Sequence, residues 1–376
     1  MDENSDIAFF LPSAYGGGAE RVITTVASEL SSRGYSVDLL LGETDGSDAD
    51  LPSEITVLGF DHSRLSVALP SLINYLQTQH PSVIVSTIYL SNILVMMSHF
   101  LTRSNSRLVL RVANTPSIHL SSNSARHVIG RNLLPFVYSR ADRILAISNG
   151  VKADLVDEFS VSSEKITTIY NPIELSMVDE RANEPLTHRW LSNSYQTIVG
   201  LGRLTPQKDF STLLQSFAAV HAGTPSARLL ILGDGELRES LQALAASLGI
   251  SDVVEFTGYV DNPYKYLSRA DLFVLSSKWE GFGLCIIEAL ACGCPVVSTD
   301  CPNGPREILV DGEYGRLVPV GDVERLSAMI ETELTKEHDE TKLRSRAEMF
   351  RVDRIVDEYE SLLFDSDRIT AQHTDS

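Results

Sequence analysis

The sequence is poor in cysteine. Only four of the 376 residues are cysteines, and all of them fall in one short region, at Cys285, Cys292, Cys294 and Cys301. Their spacing lacks the paired C-x₂-C form of a zinc site. It predicts buried free thiols in a reducing cytoplasm, and no metal site.

Positive charge is also scarce. Lys and Arg number 31 against 50 Asp and Glu, so the formal net charge is −19. Such a balance argues against general nucleic-acid binding. One segment departs from it, because residues 99–143 contain seven arginines and a single acidic residue, Asp142. Two interpretations stay open for this segment: a solvated helix face, or a surface for an anionic lipid or a phosphate-bearing acceptor.

Long apolar stretches are missing as well. The least polar one, residues 83–101, lacks Lys, Arg, Asp and Glu but carries several polar side chains, including Ser86, Asn92 and His99. A buried strand followed by a buried helix therefore fits it better than a membrane span. The acidic start, Met1 to Asp6, does not resemble a signal peptide. We expect a cytoplasmic protein.

Short β-rich runs alternate with helical patterns along the whole chain, which is typical of parallel α/β domains. The length favours two domains. The first series predicts strands at 7–11, 36–42, 55–58, 83–87, 107–112, 143–147 and 165–169, with helices at 19–33, 67–80, 91–101 and 149–158. After an irregular linker, 176–194, a second series predicts strands at 197–201, 228–232, 253–256, 272–276, 296–299 and 315–318, with helices at 210–222, 237–248, 264–267, 284–292 and 324–335.

This restart predicts two doubly wound, Rossmann-like domains facing each other across a cleft. The first would comprise residues 1–172 together with a returning helix at 352–366, and the second residues 195–350. In such folds a ligand lies near the carboxyl ends of the strands.

The segment from Glu280 to Glu288 is the most informative one. Gly281 and Gly283 allow close approach of the backbone to a ligand, and an apolar helix follows. Two carboxylates eight residues apart on a helix would point to roughly the same side. Free amides at the helix start can bind a phosphate. The segment therefore predicts acceptors for sugar hydroxyls with an anion between them, as in a nucleotide-sugar site.

Two further segments indicate phosphate binding. Arg203 and Lys208 follow the first strand of the second domain, where a diphosphate would lie in such a fold. Gly17 and Gly18 belong to a glycine turn between the first strand and its helix. The second strand ends in Leu41-Gly42, without the acidic residue of a dinucleotide site, which disfavours that alternative.

Together these residues resemble the family 4 retaining glycosyltransferases, which have the two-domain GT-B fold. The resemblance covers most of the chain and is closest to members that build exopolysaccharides or lipid-linked glycans. Its strings are Gly16-Gly-Gly-Ala-Glu-Arg21, Gly202-Arg-Leu204 with Gln207-Lys-Asp209, Gly233-Asp-Gly235, Glu280-Gly-Phe-Gly283, Glu288-Ala-Leu-Ala-Cys-Gly293 and Asp300-Cys-Pro-Asn-Gly-Pro-Arg-Glu-Ile308.

The resemblance implies a role for each matched residue. Arg203, Lys208 and Glu280 would be the catalytic groups: the two cations bind the donor diphosphate, and Glu280 accepts from hydroxyls of the transferred sugar. Glu288 would bind the nucleotide ribose. The remaining donor contacts would come from the backbone of Gly281, Phe282, Gly283 and Leu284, from Tyr259 and Val260 beside the base, and from Gly17 and Gly18 of the opposite domain.

The family often carries a histidine near the strand that ends here at 110–116, and this chain departs from that pattern. Either Asn114 or His119 would take its place beside the donor or the acceptor. The second domain would bind the donor and the first the acceptor.

The implied activity is transfer of a sugar from a nucleotide diphosphate sugar, with UDP favoured. The acceptor would be polyprenyl-phosphate-linked or a glycan, in cell-surface polysaccharide or glycoprotein glycan assembly at the cytoplasmic face of the cell membrane. No metal or other cofactor is expected. The anionic membrane surface would contact Arg103, Arg107, Arg126 and Arg131. Two alternatives stay open: a nucleotide-sugar epimerase, and a non-catalytic glycan-binding or scaffold protein.

Overall fold

The computed structural model describes residues 5–13, 17–43, 52–60, 68–121, 125–191 and 194–364, without the side chains of residues 125 and 126. The chain divides into two compact units. The N-terminal unit comprises Met1–Pro172 and Val352–Ser376, and the C-terminal unit comprises Ile173–Arg351.

The N-terminal unit contains one parallel seven-stranded sheet in the order β3-β2-β1-β4-β5-β6-β7. Its central strands are buried on both faces, as the apolar runs in their sequences require of a sheet covered on both sides. The strands are β1 Ile7–Leu11, β2 Val37–Leu41, β3 Thr56–Gly59, β4 Val83–Thr87, β5 Arg107–Val112, β6 Arg143–Ala146 and β7 Ile166–Thr168.

Six helices of this unit lie between or beside these strands. They are α1 Gly18–Ser32, α2 Leu69–Thr78, α3 Tyr89–Thr102, α4 Pro116–His119, α5 Ala125–Arg140 and α6 Asn149–Phe159. All seven predicted strands and four predicted helices of the first series are confirmed to within a few residues. Neither α4 nor α5 was predicted.

The C-terminal unit contains a parallel six-stranded sheet in the order β10-β9-β8-β11-β12-β13, the arrangement of dinucleotide-binding folds. A cluster of buried aliphatic and aromatic side chains, including Ile198, Phe217 and Ile231, forms its core. The strands are β8 Gln196–Leu201, β9 Ala227–Leu232, β10 Val254–Gly258, β11 Leu272–Leu275, β12 Val296–Thr299 and β13 Arg316–Val318.

Eight helices accompany this second sheet. They are α7 Leu175–Ala182, α8 Phe210–Gly223, α9 Arg238–Ser247, α10 Tyr264–Leu267, α11 Leu284–Ala291, α12 Pro305–Ile308, α13 Val323–Leu334 and α14 Glu340–Ala347. The prediction of an irregular linker at 176–194 was wrong in its first part. Helix α7 occupies it and is held to the C-terminal unit, where Arg181 pairs with Asp261 and accepts through its carbonyl from Asn262.

The last helix, α15 Val352–Leu363, returns to the N-terminal unit as predicted, and positions 365 and 366 of the predicted helix lie outside the described residues. Arg33 after α1 donates to Asp357 at 2.6 Å and to Glu360 at 2.8 Å. Tyr35 stacks on Phe364 with ring centroids 4.5 Å apart. These contacts fasten α15 against α1.

The strand orders locate the ligand crevice in each sheet. Strand order reverses between β8 and β11 in the C-terminal unit, and between β1 and β4 in the N-terminal unit. Open parallel sheets bind ligands at the carboxyl ends of strands where this reversal occurs. In the C-terminal unit the two loops concerned are 202–209 and 276–283. Within the described residues, no helix is long and apolar enough to cross a membrane.

Candidate functional site

The loops after β8 and β11 are bound to one another at the point of strand reversal. The Lys278 amide donates to the Gln207 carbonyl at 2.8 Å, and Gln207 Nε2 donates to the Trp279 carbonyl at 3.0 Å. Ser276 Oγ donates to the Lys208 carbonyl at 2.8 Å. These bonds place the predicted cation loop directly beside the predicted Glu280 loop.

Lys208 and Glu280 form the centre of this site. Lys208 Nζ lies 2.6 Å from Glu280 Oε1, and Ser277 Oγ donates to the same oxygen at 2.7 Å. Only 16% of the Lys208 side chain and 8% of the Glu280 side chain are exposed. Burial alone would lower the pKa of Lys208, but the adjacent Glu280 charge outweighs it and raises that pKa above its ordinary value. The ammonium group is therefore charged at neutral pH.

Glu280 lies on a loop and not on the helix that bears Glu288. Its amide donates to the Pro302 carbonyl at 3.1 Å, and α11 begins only at Leu284. Gly283 stands between them with φ +93°, in the left-handed region that favours glycine. The expectation that helical spacing aligns the two carboxylates was therefore wrong, because the glycine turn breaks the helix between them.

Glu288 lies inside α11 and is 5% exposed. Tyr264 Oη donates to Glu288 Oε1 at 3.2 Å, so the carboxylate is held by the helix α10 that follows β10. A buried carboxylate that already accepts one hydroxyl hydrogen is suited to binding further hydroxyl groups.

Gly304 supports the Glu280 loop from the next loop along the sheet. Its φ is +100°, and a Cβ added there would lie 1.7 Å from the Phe282 carbonyl oxygen. The preceding Asn303 is also left-handed, with φ +68°. Within the string Asp300 to Ile308, Gly304 thus packs its backbone directly against the backbone of Phe282.

Glycines also allow the loops after β8 and β9 to touch. A Cβ on Gly233 would lie 2.0 Å from the Gly202 carbonyl oxygen, and one on Gly235 would lie 2.6 Å from the Leu204 carbonyl oxygen. The Lys208 side chain crosses Gly202, where a Cβ would meet Lys208 Cε at 2.9 Å. The Gly233-Asp-Gly235 string is thus explained by close backbone packing beneath the lysine.

The other predicted donor residues of the C-terminal unit lie on neighbouring loops. Arg203 is exposed, and its side chain makes no hydrogen bond or ion pair with any residue in the described part of the chain. Tyr259 is 80% exposed and Val260 half-buried, both just beyond the carboxyl end of β10. Arg203 is therefore available to an anionic ligand, whereas Lys208 is already fixed by Glu280.

In the N-terminal unit the glycine turn precedes α1. Gly17 is the residue before the helix and has extended backbone, with φ −179° and no side-chain cap. Gly18 opens α1, and a Cβ on it would meet nothing within 4 Å. Gly16 lies outside the described residues. The contact of Gly17 and Gly18 with a donor diphosphate stays a prediction.

Asn114 and His119 follow β5. Asn114 is half-buried, and His119 ends the short helix α4. The His119 ring centroid lies 5.5 Å from that of Tyr89 and 6.0 Å from that of His127. Partial desolvation, with a smaller contribution from His127, lowers the pKa of His119, so its ring is neutral at pH 7. The role of Asn114 or His119 in place of the family histidine stays a prediction.

The arginines of residues 99–143 do not form one surface. Arg111 is fully buried and donates to Thr87, Asn171 and Tyr359, so it contributes no surface charge. Arg131 is exposed but pairs with Glu158 at 3.4 Å. Arg107 is half-buried, Arg103 is exposed, and the side chain of Arg126 lies outside the described residues.

The four cysteines are free and buried, which confirms that prediction. Burial is the largest cause that raises the pKa of Cys285, Cys292 and Cys301 to about 12, and it raises the pKa of Cys294 well above the ordinary value of a thiol. All four are neutral thiols at neutral pH.

Sequence reasoning missed the residues that hold the two carboxylates. Ser277 binds Glu280 and Tyr264 binds Glu288, yet neither belongs to a string that identified the site. Their signal was only positional: Ser277 follows β11 and Tyr264 opens the helix after β10, so both lie at carboxyl ends of strands.

The comparisons with known proteins identify the class of protein. The sequence model described as "Glycosyltransferase Family 4" matches residues 16–177, and that described as "Glycosyl transferases group 1" matches residues 189–349. The "N-acetylgalactosamine-N,N'-diacetylbacillosaminyl-diphospho-undecaprenol 4-alpha-N-acetylgalactosaminyltransferase" of Campylobacter jejuni is 31% identical over 363 residues, which cover 92% of this chain and 95% of that protein. The lipopolysaccharide 1,6-galactosyltransferase of Salmonella typhimurium is 29% identical over 53% of this chain and 55% of its own length.

Solved structures show the same architecture. The crystal structure of Anabaena HepE in complex with UDP-glucose superposes with a TM-score of 0.81 at 21% identity, covering 95% of this chain and 98% of that one. WaaG, a glycosyltransferase involved in lipopolysaccharide biosynthesis, superposes with a TM-score of 0.70 at 16% identity, covering 96% and 100%. The fold is GT-B, and the protein is a glycosyltransferase. More particularly, the chain belongs to glycosyltransferase family 4.

Proposed function

We propose that this enzyme transfers a sugar, with retention of anomeric configuration, from a nucleotide diphosphate sugar to a lipid-linked or glycan acceptor. The buried pair of Lys208 and Glu280 at the strand reversal of the C-terminal unit carries the proposal. An ammonium group and a carboxylate side by side offer one site for a diphosphate and one for sugar hydroxyls.

In the proposed reaction Lys208 and Arg203 stabilise the departing diphosphate. Lys208 has three N–H donors, of which Glu280 takes one, so two remain for phosphate oxygens. Arg203 can bind phosphate bidentately. Negative charge grows on the leaving oxygen as the glycosidic bond breaks, and fixed cations stabilise that charge most strongly in a site that excludes water. The acceptor hydroxyl attacks on the face that the diphosphate leaves.

Two positive charges from side chains supply the charge neutralisation that the leaving group requires. We therefore propose that transfer proceeds without a metal ion or another cofactor. The high pKa of Lys208 supports this, because the group keeps its charge across the whole neutral range.

Glu280 and Glu288 would bind the parts of the donor on either side of the diphosphate. Glu280 accepts from hydroxyls of the transferred sugar, and Glu288 accepts from the ribose. UDP is the favoured nucleotide, since HepE, which shares the fold, was solved with UDP-glucose. We propose that Tyr259, which is exposed just after β10, covers the base.

The acceptor class is proposed from the relatives. The Campylobacter jejuni relative is named for a diphospho-undecaprenol acceptor, and the Salmonella relative for lipopolysaccharide. We assign this chain to the assembly of lipid-linked or cell-surface glycans, including glycoprotein glycans. Because such an acceptor resides in a membrane, the enzyme would work peripherally at the cytoplasmic face.

The donor site can be tested by thermal unfolding with a panel of nucleotide sugars. A sugar donor raises the unfolding temperature by mass action, and UDP-sugars should give the largest rise.

Lys208→Ala should lower the transfer rate about 10²- to 10³-fold, as the loss of one preorganised hydrogen-bond donor typically does. Lys342→Ala is the matched control, because that exposed lysine lies on α14 and pairs only weakly with Glu313 at 3.9 Å.

Folding must be separated from chemistry in this experiment. Removing Lys208 leaves the buried Glu280 charge uncompensated, which destabilises a protein strongly. The double variant Lys208→Met with Glu280→Gln replaces both charges and should recover most of the stability while staying inactive. Full transfer activity in Lys208→Ala, or no stabilisation by any nucleotide sugar, would refute the donor site.

A further inference from the structure

A groove on the N-terminal unit runs between the last turn of α3 and the end of α5. It has a volume of about 710 Å³, and its lining includes Met96, Phe100, Leu101, Leu108, Arg103 and Arg140. Among the described residues, no Asp or Glu lines it. We call this feature the α3–α5 groove and include with it Phe136, which contacts Arg140 beside it.

The apolar side chains of the groove face solvent. Phe100 is 58% exposed, Leu101 59% and Phe136 45%. Large apolar side chains exposed singly are ordinary, but contiguous ones rimmed by charge mark an interaction surface. Here they are contiguous, because the Arg140 guanidinium lies 5.6 Å from the Phe100 ring centroid and 4.8 Å from that of Phe136.

Two cations stand among these apolar groups without acidic partners. Neither Arg103 nor Arg140 forms an ion pair with a carboxylate in the described part of the chain, although the protein has 50 acidic residues. The sequence extends this observation, since no Asp or Glu occurs between Asp61 and Asp142. In a chain with net charge −19, a stretch of that length without an acid leaves this surface with a charge opposite to the rest.

The groove is separate from the two residues predicted to lie beside the donor or the acceptor. Helix α3 begins after the carboxyl end of β4 and ends before the amino end of β5, so Phe100 and Arg103 lie near the amino ends of the strands. Asn114 and His119 follow the carboxyl end of β5, at the opposite edge of the sheet. The groove therefore does not belong to the catalytic edge.

We propose that the α3–α5 groove binds anionic phospholipid and docks the enzyme on a membrane. Phe100, Leu101 and Phe136 enter the acyl region, while Arg103 and Arg140 bind lipid phosphate at the interface. Apolar insertion combined with cationic attraction is the pair of forces that holds peripheral proteins on anionic bilayers. Arginine suits this position because its stem and stacked guanidinium stay beside aromatic rings while its donors reach phosphate.

This assignment rests on the proposed function, which places the acceptor in a membrane, and it changes the arginines expected to face the lipid. Arg140 takes the place of Arg131, whose charge is partly satisfied by Glu158. An anionic lipid surface complements Arg103 and Arg140, whereas a two-fold contact between copies would set the arginines of one groove against those of the other and is disfavoured by like charge.

Co-sedimentation of the full chain with phosphatidylcholine vesicles, with and without phosphatidylglycerol, tests the groove. The wild-type protein should bind only the anionic vesicles, and less as salt rises. Phe100→Ser with Leu101→Ser, and separately Arg103→Glu with Arg140→Glu, should each lower the partition coefficient by at least about ten-fold. Val320→Ser with Arg325→Glu is the matched control, because those exposed residues lie in the C-terminal unit, and it should bind as the wild type does.

Thermal stabilisation by a nucleotide sugar and light scattering complete the test. Each groove variant should keep the wild-type thermal stabilisation by a nucleotide sugar, which shows that it is folded and that its donor site is intact. Equal vesicle binding by groove variants and wild type, or no binding by the wild type, overturns the lipid site while leaving the donor site standing. Light scattering that shows a wild-type dimer abolished by the groove variants would make the groove a contact between copies and also overturn it. Vesicle binding without any donor stabilisation would refute the proposed function alone.

Discussion

Gly304 supports the Glu280 loop through its lack of a side chain. Its backbone lies so close to Phe282 that a Cβ would be 1.7 Å from the carbonyl oxygen, and its φ of +100° is itself unfavourable for other residues. Phe282 and Gly283 lead directly into α11 and lie beside Glu280. The absence of a side chain at Gly304 therefore permits the position of the Phe282–Gly283 turn, in addition to the hydrogen bonds that fix the rest of the Glu280 loop.

We expect Gly304→Ala to weaken nucleotide-sugar binding at least about ten-fold, because the Phe282–Gly283 turn must move to admit the methyl group. Isothermal titration with the donor found in the nucleotide-sugar panel measures the change. Gly321→Ala is the control: Gly321 also has positive φ, +75°, but a Cβ there meets nothing within 4 Å. That variant should lose only about 1–2 kcal/mol of stability from backbone strain. Equal donor affinity in both variants would contradict the supporting role of Gly304.

At the scale of elements, the alternation of apolar and polar runs was sufficient to predict the strands of both sheets. Buried parallel strands such as β1 and β4 are short apolar runs bounded by turns, and that pattern is readable without a structure. The sequence did not predict helix α5. It contains Gly130 and Pro135 and exposes Val128, Ile129 and Phe136, so its sequence lacks one apolar face and one polar face.

The candidate site was predictable in its charged residues and not in its geometry. Arg203, Lys208, Glu280 and Glu288 were identified from strings at the ends of predicted strands. The contact between Lys208 and Glu280, 72 residues apart, depends on β8 pairing with β11, and local patterns do not encode strand order. The same limit explains why Ser277 and Tyr264 were missed.

Helix α13 and strand β13 are joined by one buried carboxylate. Glu333 is 5% exposed, and its side chain accepts from Arg316 at 3.0 Å and from Lys336 at 2.5 Å. Burial by itself raises the pKa of Glu333, but these two partners together lower it below its ordinary value of 4.5. The folded state therefore stabilises the ionised form of Glu333 more than the unfolded chain does.

A depressed folded-state pKa stabilises the protein above pH 4.5, and this contribution is lost as the pH falls through the folded value. Glu333→Gln should therefore lower the free energy of unfolding at pH 7 by about 1 kcal/mol, allowing for the exposure of both partners. The difference from wild type should shrink as the pH falls below 4.5. Urea unfolding at several pH values measures it, with Glu337→Gln, an exposed neighbour, as control. A difference that is constant with pH would exclude the ionic explanation.

At the scale of the whole molecule, Arg111 joins distant parts of the chain within the N-terminal unit. It is fully buried in β5 and donates to Thr87 of β4, to Asn171 just before the chain leaves the unit, and to Tyr359 of α15 after it returns. Within the described residues no carboxylate pairs with it. Its charge is instead satisfied by three neutral acceptors, at 2.7 to 3.1 Å.

Arg111→Met should destabilise the N-terminal unit by about 3 kcal/mol, because it leaves polar groups of three separate segments without their buried partner. Differential scanning calorimetry would show a lower unfolding temperature for this unit, and stabilisation by a nucleotide sugar should be retained. Arg143→Met, at an exposed arginine of the next strand, should change stability by less than about 0.5 kcal/mol. Equal unfolding temperatures for the two variants would show that the buried contacts contribute nothing net.

The return of α15 to the first unit determines the order in which the protein can be completed during synthesis. The ribosome releases β1 to β7 early, yet α1 and Arg111 must wait for residues 352–363 before Glu360 and Tyr359 reach them. The C-terminal unit is one continuous segment and can close first, as an inserted domain within an unfinished one. A nascent chain that stops shortly after Arg351 would thus contain the complete C-terminal unit together with an N-terminal unit that lacks α15.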